Sequence, residues 1–421
     1  MKIQYDVKPY PTNKRPKRQL FLFTLLIFLL SKLCMIGQKY KIRKVNMKGL
    51  KPPYILLSNH MYFVDFYLNA IATFPHSVNN VATIDGYYRR PKLMEWLGCI
   101  CKRKFTNDLS LIRSIMTCLK RHRSILSMYP EARYSPIGTT AILPDSLGKL
   151  IKKAEVPVVT LMHHGNYLHT PFWDHERKRK VPLCSVMTQI LSVEDIRRMD
   201  AAEINRTVRD AMQYDEYTYQ SENHLHITEP YRAENLHKVL YKCPHCGAEA
   251  MTSFGITISC TSCGKVWEMD TLGRLNAREG ETEFPHIPDW YEWQRQCVRE
   301  EIESGSYSFD DEVDVYSLTN PKEFIHVGKA RLIHNYDGFT LSGTYRGQEF
   351  EISRPALGMY GLHVEYDYVY VRPEDCVDIS TEDDSLYCYP TKKNVVTKLS
   401  LATEELYRWR MAHRSHAAEV D

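Results

Sequence analysis

Short apolar runs that stop abruptly in polar residues set the limits on what this chain can fold into. Tyr54-Ile-Leu-Leu-Ser58 runs into Asn59 and His60, with Asp65 five residues on, and Ser127-Met-Tyr129 stops at Pro130-Glu131-Ala-Arg133. A buried strand reads as such an unbroken apolar stretch, and in α/β folds ligands meet chemistry at the carboxyl ends of strands. Two such ends, one with His and Asp and one with Glu and Arg, mark a single candidate site.

The runs belong to a longer alternation. Strands are predicted at 54–58, 78–84, 99–105, 125–129, 156–162 and 184–191, with helical patterns between them. Asn107-Asp108 can cap a helix on which Leu109, Ile112, Ile115, Met116 and Leu119 recur at helical spacing. A second helix covers 147–154, and 193–220 packs as helices at the end of the unit. His224 and His226 alternate as surface strand residues do. The fold class is α/β, a mixed sheet flanked by helices over 46–236.

An imidazole titrates near neutral pH and can take a proton from a hydroxyl, while a neighbouring carboxylate fixes its tautomer and stabilises the imidazolium. Five residues at ~100° each put Asp65 off the face His60 would share with it on one helix, so His60 belongs on the turn before a helix that carries Asp65. No G-x-S-x-G elbow occurs, which leaves the nucleophile to a substrate hydroxyl. Alone, such a pair also fits a satisfied surface contact.

Its company is more specific. Asn59-His60-x4-Asp65, then Gly98-x4-Arg103, then Tyr129-Pro-Glu131, then Val156-Pro-Val-Val resembles the four ordered motif blocks of the glycerolipid (lysophosphatidic-acid-type, lysophospholipid) acyltransferase family, over roughly residues 50–235. The resemblance implies that His60 is the base that deprotonates the acceptor hydroxyl and that Asp65 orients it. It implies that Arg103 and Glu131 bind the acceptor, that the acceptor is lysophosphatidic-acid-like, and that acyl-CoA or an acyl-carrier protein is the donor. The third block departs from the family's Phe-Pro-Glu-Gly-Thr-Arg-Ser: Ala132 stands for Gly, Arg133 for Thr and Tyr134 for Arg. A cation survives one position early, in Arg133, and a glycine's backbone freedom is lost. Acyl transfer is left intact, the acceptor's identity is opened to a non-phosphate glycolipid, and a catalytically diverged lipid-binding or scaffold protein is the rival.

Residues 1–45 read as a basic N-terminus and a membrane anchor. Lys14-Arg-Pro-Lys-Arg18 precedes an apolar stretch from Leu20 to Gly37, and Lys39, Lys41, Arg43 and Lys44 follow it. As a helix that stretch is ~27 Å long, marginal against a hydrocarbon core of ~30 Å, so residues 20–37 either span with help or lie in the cytoplasmic leaflet; a buried core helix is the alternative. No small-x-small cleavage site follows. The expectation is a membrane-associated protein with its catalytic domain on the cytoplasmic side. A net charge of +4 is too small to argue for nucleic acid.

Cys243-Pro-His-Cys246-Gly and Cys260-Thr-Ser-Cys263-Gly have the spacing of a four-thiolate zinc ribbon over 238–270, with a hairpin over 251–259. A redox dithiol pair or an iron–sulfur site is the alternative. Its surroundings lack a basic, aromatic-interleaved stripe. The other eight cysteines are scattered, which suits a reducing compartment. In the loop Met162-His-His-Gly-Asn166 the paired histidines lack a matching carboxylate and make a poor ligand set.

A helical linker is expected over 271–308, with a helix over 289–304. A β-rich domain follows over 309–421, with strands at 329–335, 339–345, 349–353, 361–371, 376–379 and 385–389. Asp337-Gly338 and Arg346-Gly347 read as hairpin turns. A closing helix near 398–413 would bring Leu399, Leu401, Leu406 and Trp409 into a barrel, an outline similar to the pleckstrin-homology-like (PH-like) architecture.

Overall fold

A computed structural model describes residues 2–106 and 108–417, the side chains of 414–417 aside. Seven strands form the first sheet: β1 (Tyr40–Val45), β2 (Ile55–Ser58), β3 (Val78–Thr83), β4 (Ile100–Lys102), β5 (Ile125–Met128), β6 (Val158–His164) and β7 (Leu183–Leu191). Their order is β1-β7-β6-β2-β5-β3-β4. β6, β2, β5, β3 and β4 run parallel, and β7 with β1 runs the other way. Parallel strands need both faces covered. α1 (Phe21–Cys34), α2 (Val64–Thr73), α3 (Pro91–Trp96), α4 (Leu109–Met116), α5 (Ser146–Ala154), α6 (Asn166–His169), α7 (Val193–Arg198), α8 (Ala201–Ala211) and α9 (Glu216–Glu222) supply the cover and the connections.

Asp108 caps α4, its carboxylate accepting from the Ser110 amide at 2.7 Å, whereas Asn107 lies outside the described residues. His224 and His226 sit in a turn and an irregular segment, not in a strand. β1 falls within the expected basic flank of the anchor. The helical part of that anchor is α1, 14 residues or about 21 Å. Among the described residues no helix is long and apolar enough to cross a membrane.

β8 (Met251–Phe254) and β9 (Thr257–Cys260) make the expected hairpin, and β10 (Val266–Met269) with β11 (Leu275–Ala277) extends it to four antiparallel strands. The stretch read as a linker is therefore structural: β11 completes the ribbon, and α10 (Ile287–Glu303) buries Ile287, Trp290, Tyr291, Val298 and Ile302.

The last sheet contains β12 (Phe309–Ser317), β13 (Ile325–Asn335), β14 (Gly338–Tyr345), β15 (Gln348–Pro355), β16 (His363–Glu365), β17 (Cys376–Ser380) and β18 (Ser385–Pro390), in the order β15-β14-β13-β12-β18-β17-β16. Every pair is antiparallel, and β15 and β16 remain as two edges, so the sheet is open, not a closed barrel. Arg346 and Gly347 both have positive φ (51° and 79°), as a two-residue hairpin between β14 and β15 requires. α11 (Val396–Ala417) buries Leu399, Leu401 and Leu406 and packs along α10, while Trp409 sits against Tyr336. One continuous apolar core runs from Ile55 through Trp267 and Trp290 to Leu406, joining the α/β unit, the ribbon and the last sheet.

Candidate functional site

Asn59 clamps the end of β2 to β6: its amide donates to the His163 carbonyl at 2.9 Å and accepts from the His163 N–H at 2.8 Å. The chain then leaves the sheet, and the His60 carbonyl accepts from the Ser135 amide at 2.8 Å, tying this end to the block after β5. Asp65 lies in the first turn of α2 and is fully buried. Its Oδ2 accepts from the Met61 and Tyr62 amides (2.6 and 3.1 Å) and lies 3.1 Å from His60 Nδ1, and its Oδ1 accepts from Asn166 Nδ2 at 2.7 Å. Burial pushes the Asp65 carboxyl up, but the His60 hydrogen bond, the neighbouring histidines and Asn166 hold it below the usual carboxylate range.

A carboxylate only accepts hydrogen bonds, so this contact puts the imidazole proton on Nδ1 and leaves the Nε2 lone pair free. No described residue bonds Nε2, and 21% of the His60 side chain is exposed. Tyr129 stacks on the ring at 3.7 Å and 13°, and Tyr134 meets it at 4.2 Å and 40°. Two aromatic walls and an anchored Nδ1 fix the plane of the base. Ala132 adopts φ +56°, a left-handed conformation that costs an alanine about 1–2 kcal/mol.

Glu131 belongs to the same strand end but is not open to solvent. Tyr214 donates to both its oxygens (3.1 and 3.0 Å) and the Ala141 amide to one (3.2 Å). Burial pushes its carboxyl up to about 7, against these bonds and Arg133. Between pH ~4.5 and ~7 the unfolded chain has lost this proton while the folded one keeps it, so this group's contribution to stability falls as pH rises. Glu131→Gln cannot ionise, and its stability relative to wild type is expected to rise by about 2–3 kcal/mol from pH 5 to pH 8, read by urea unfolding at each pH.

Neither expected acceptor-binding arginine faces His60. Arg103 is buried, and its guanidinium donates to the Leu318 carbonyl (3.0 Å), the Thr319 carbonyl (2.8 Å) and Ser385 Oγ (3.2 Å). Arg133 is buried against α11, paired with Glu404 and bonded to Ser400 Oγ at 3.0 Å. Both guanidiniums are engaged by groups of the last domain.

Asn166, which sequence reasoning passed over, carries the second carboxylate contact; its position just past the end of β6 was the available signal. The two histidines read as loop residues instead end β6: His163 is buried between Ser185 Oγ (2.8 Å) and Asn69 Oδ1 (3.0 Å), burial holding its imidazole down to about 4, while His164 meets Glu216 at 3.1 Å.

The four ribbon cysteines converge. Their sulfurs all lie within 4.8 Å of one another, with Cys243–Cys263 at 3.8 Å and Cys246–Cys260 at 3.7 Å. A tetrahedral metal with ~2.3 Å bonds to sulfur requires edges of about 3.8 Å. Gly247 and Gly264, at φ +77° and +75°, turn the chain after each knuckle, and the amides of Cys246, Ala248 and Lys265 point at sulfurs they would stabilise as thiolates. The donor set fits a four-thiolate metal centre.

Comparison with known proteins adds little. No family model matches this chain, and no curated protein does. Among solved structures it is similar to the 1-acyl-sn-glycerophosphate (LPA) acyltransferase PlsC from Thermotoga maritima, with a TM-score of 0.35 and 15% identity, over 45% of this chain and 78% of that one.

Proposed function

We propose that this chain is a membrane-associated O-acyltransferase that moves an acyl chain from acyl-CoA or an acyl-carrier protein to the hydroxyl of a lipid acceptor. The observation that carries the reading is the His60–Asp65 contact of 3.1 Å, with the carboxylate saturated and Nε2 unbonded. The acceptor oxygen attacks the thioester carbonyl as its proton passes to His60 Nε2. The tetrahedral intermediate then expels the thiolate, which takes that proton back from the imidazolium. Asp65 stabilises the imidazolium throughout. Zinc held by Cys243, Cys246, Cys260 and Cys263 is structural in this reading. With Arg103 and Arg133 engaged elsewhere, a phosphate on the acceptor has lost its two expected cations, which favours a non-phosphate lipid over lysophosphatidate.

Membrane attachment fits α1. Leu20, Phe21, Leu22, Leu26, Leu29, Leu30, Leu33 and Ile36 are exposed, and α2 packs against α1 with exposed Phe63 three residues past His60. An apolar face flanked by lysines and arginines suits the interface of an anionic leaflet. The soluble donor and the reduced thiols point to the cytoplasmic side. Sedimentation with anionic vesicles is expected to recover the wild type and to lose about a hundredfold in partitioning for Leu26→Glu/Leu30→Glu, two half-exposed positions of that face.

The direct test is transfer of a labelled acyl chain by the purified protein to lysolipid acceptors in vesicles. His60→Ala is expected to reduce turnover by about 10²–10⁴-fold, and unchanged turnover would remove the mechanism.

A further inference from the structure

The chain after β5 wraps around His60. The Tyr129 carbonyl accepts from the Ala132 amide at 3.1 Å, and Ala132, with its φ of +56°, turns the chain back. Tyr134 stands on the far side of that turn, and the Ser135 amide closes the wrap on the His60 carbonyl at 2.8 Å. Two tyrosines thereby reach one imidazole, with ring centres 3.7 and 4.2 Å from its own. Among the described rings these two do not pair with each other, so they stand on opposite sides of His60.

Each ring is held from behind. Tyr129 Oη accepts from Asn69 Nδ2 at 2.8 Å, and Asn69, buried on α2, meets His163 Nε2 through its Oδ1 at 3.0 Å. The Tyr134 ring packs on Phe172 at 5.2 Å and on Tyr62 at 5.9 Å. The titratable groups that face His60 are Asp65 of α2, His163 at the end of β6 and the two phenols. Asp65 is held ionised, in contact with Nδ1. Burial keeps His163 neutral and pushes both phenols well above their ordinary range, so they are neutral too. The imidazolium of the acyl-transfer step thus meets one anion at its edge and a neutral aromatic ring on either side.

We infer that Tyr129 and Tyr134 are positioning residues that do more than hold the imidazole flat: their ring faces stabilise the imidazolium that forms as Nε2 takes the acceptor proton. This rests on the acyl-transfer reading and assigns two further residues to it. The face of an aromatic ring is the negative end of its quadrupole and attracts a cation within ~6 Å, more strongly where water is excluded. A neutral imidazole gains much less from the same faces. The attraction therefore grows as the proton arrives, and only interactions stronger in the transition state than in the ground state speed the step. A second carboxylate beside His60 would also favour the cation, but it would have to be desolvated next to a lipid and would compete for the proton. An aromatic face does neither.

The test replaces Tyr129 and Tyr134, one at a time in the full-length protein, by phenylalanine and then by its mono-, di- and trifluoro analogues. Ring shape is kept while each fluorine weakens the negative face. The logarithm of kcat is expected to fall in even steps, by about 3–30-fold in total at each position, with KM changed little. The acid limb of the pH–rate profile is expected to move to lower pH in step, because a less stable imidazolium gives up its proton at lower pH. Rates and limbs that stay flat along the series overturn the inference and leave the rings as packing. The ¹⁵N resonances of the His60 ring, followed through a pH titration without substrate, read the same effect without turnover. Their midpoint is expected to fall by about 0.5–1.5 pH units from phenylalanine to the trifluoro analogue. A midpoint that falls with fluorine in a protein that transfers no acyl chain defeats the acyl-transfer reading and keeps the stabilisation. Transfer that depends on His60, with flat rates and an unmoved midpoint, does the reverse.

Discussion

Asp65→Asn is expected to cut acyl transfer by about 10²–10⁴-fold in kcat while leaving the fold intact. The Met61 and Tyr62 amides both point at Oδ2, so the oxygen of an asparagine side chain, not its amide, is selected on that side. The new NH₂ then faces Asn166, whose Oδ1 is buried without a partner and becomes an acceptor if that amide turns over. His60 Nδ1–H keeps an oxygen to donate to, and its tautomer is retained. What disappears is the negative charge that stabilises the imidazolium as the proton arrives. The loss therefore belongs in kcat, with KM for either substrate changed little. A thermal melt within a few degrees of wild type would show that the geometry survived. Loss of turnover with an equal loss of folded protein would instead make Asp65 a structural cap of α2, and unchanged turnover would take the base away from His60.

The strand ends that build the site were legible because each is a local event, an apolar run broken by polar residues, and the His60–Asp65 contact spans only five residues. What was hidden depends on distance along the chain. Asn166 reaches Asp65 from 101 residues away, and the groups that occupy Arg103 and Arg133 come from more than 200 residues further on. No spacing in the sequence signals such partners. Four strands also escaped notice, β1, β10, β11 and β12, the first and the last for opposite reasons. In β1 the lysines and arginine of Tyr40–Val45 lie on an exposed edge and read as a basic flank. In β12 Asp310, Asp311, Glu312 and Asp314 mask an inward-facing Val313 and Val315, although the strand is central to its sheet. The expected strand over 361–371 shrinks to His363–Glu365, because its tyrosines turn out to pack a loop, not a ladder.

The same reach explains why the last sheet is not a detachable module. Arg133 and Arg295 share Glu404, and Arg299 takes up Glu405, so the α/β unit, α10 and α11 meet in one buried ion network. Burial alone would raise the Glu404 carboxyl, and the two arginines hold it down. Buried charges left without one partner cost several kcal/mol, so deleting the last domain would strand Arg103 and Arg133 inside the α/β unit. Arg133, the cation of the strand end after β5, fastens the last domain beside the site.

Zinc removal is the other large effect. One zinc per chain is expected in protein purified without chelator, and Cys260→Ser is expected to lose it. A structural four-thiolate site contributes about 10–16 kcal/mol of apparent binding free energy near neutral pH, more than a whole domain's typical stability. Cys243 and Cys260 are buried while Cys246 and Cys263 are exposed, so the metal would sit at the rim of the ribbon with half its ligands facing solvent. A chelator can reach such a site. Trp267 lies in the adjoining strand, fully buried edge-on against Trp290 at 5.0 Å and bonded through its indole N–H to Glu283. Stripping the metal should therefore shift tryptophan emission to the red and release α10, which the ribbon holds through Trp290. Because α10 carries Arg295 to Glu404, and Glu404 holds Arg133 next to the Tyr134 wall of the site, acyl transfer is expected to fall along with the fluorescence change and to return on adding zinc. Metal-free protein that keeps its emission and its turnover would reduce the four cysteines to a cluster without a metal role.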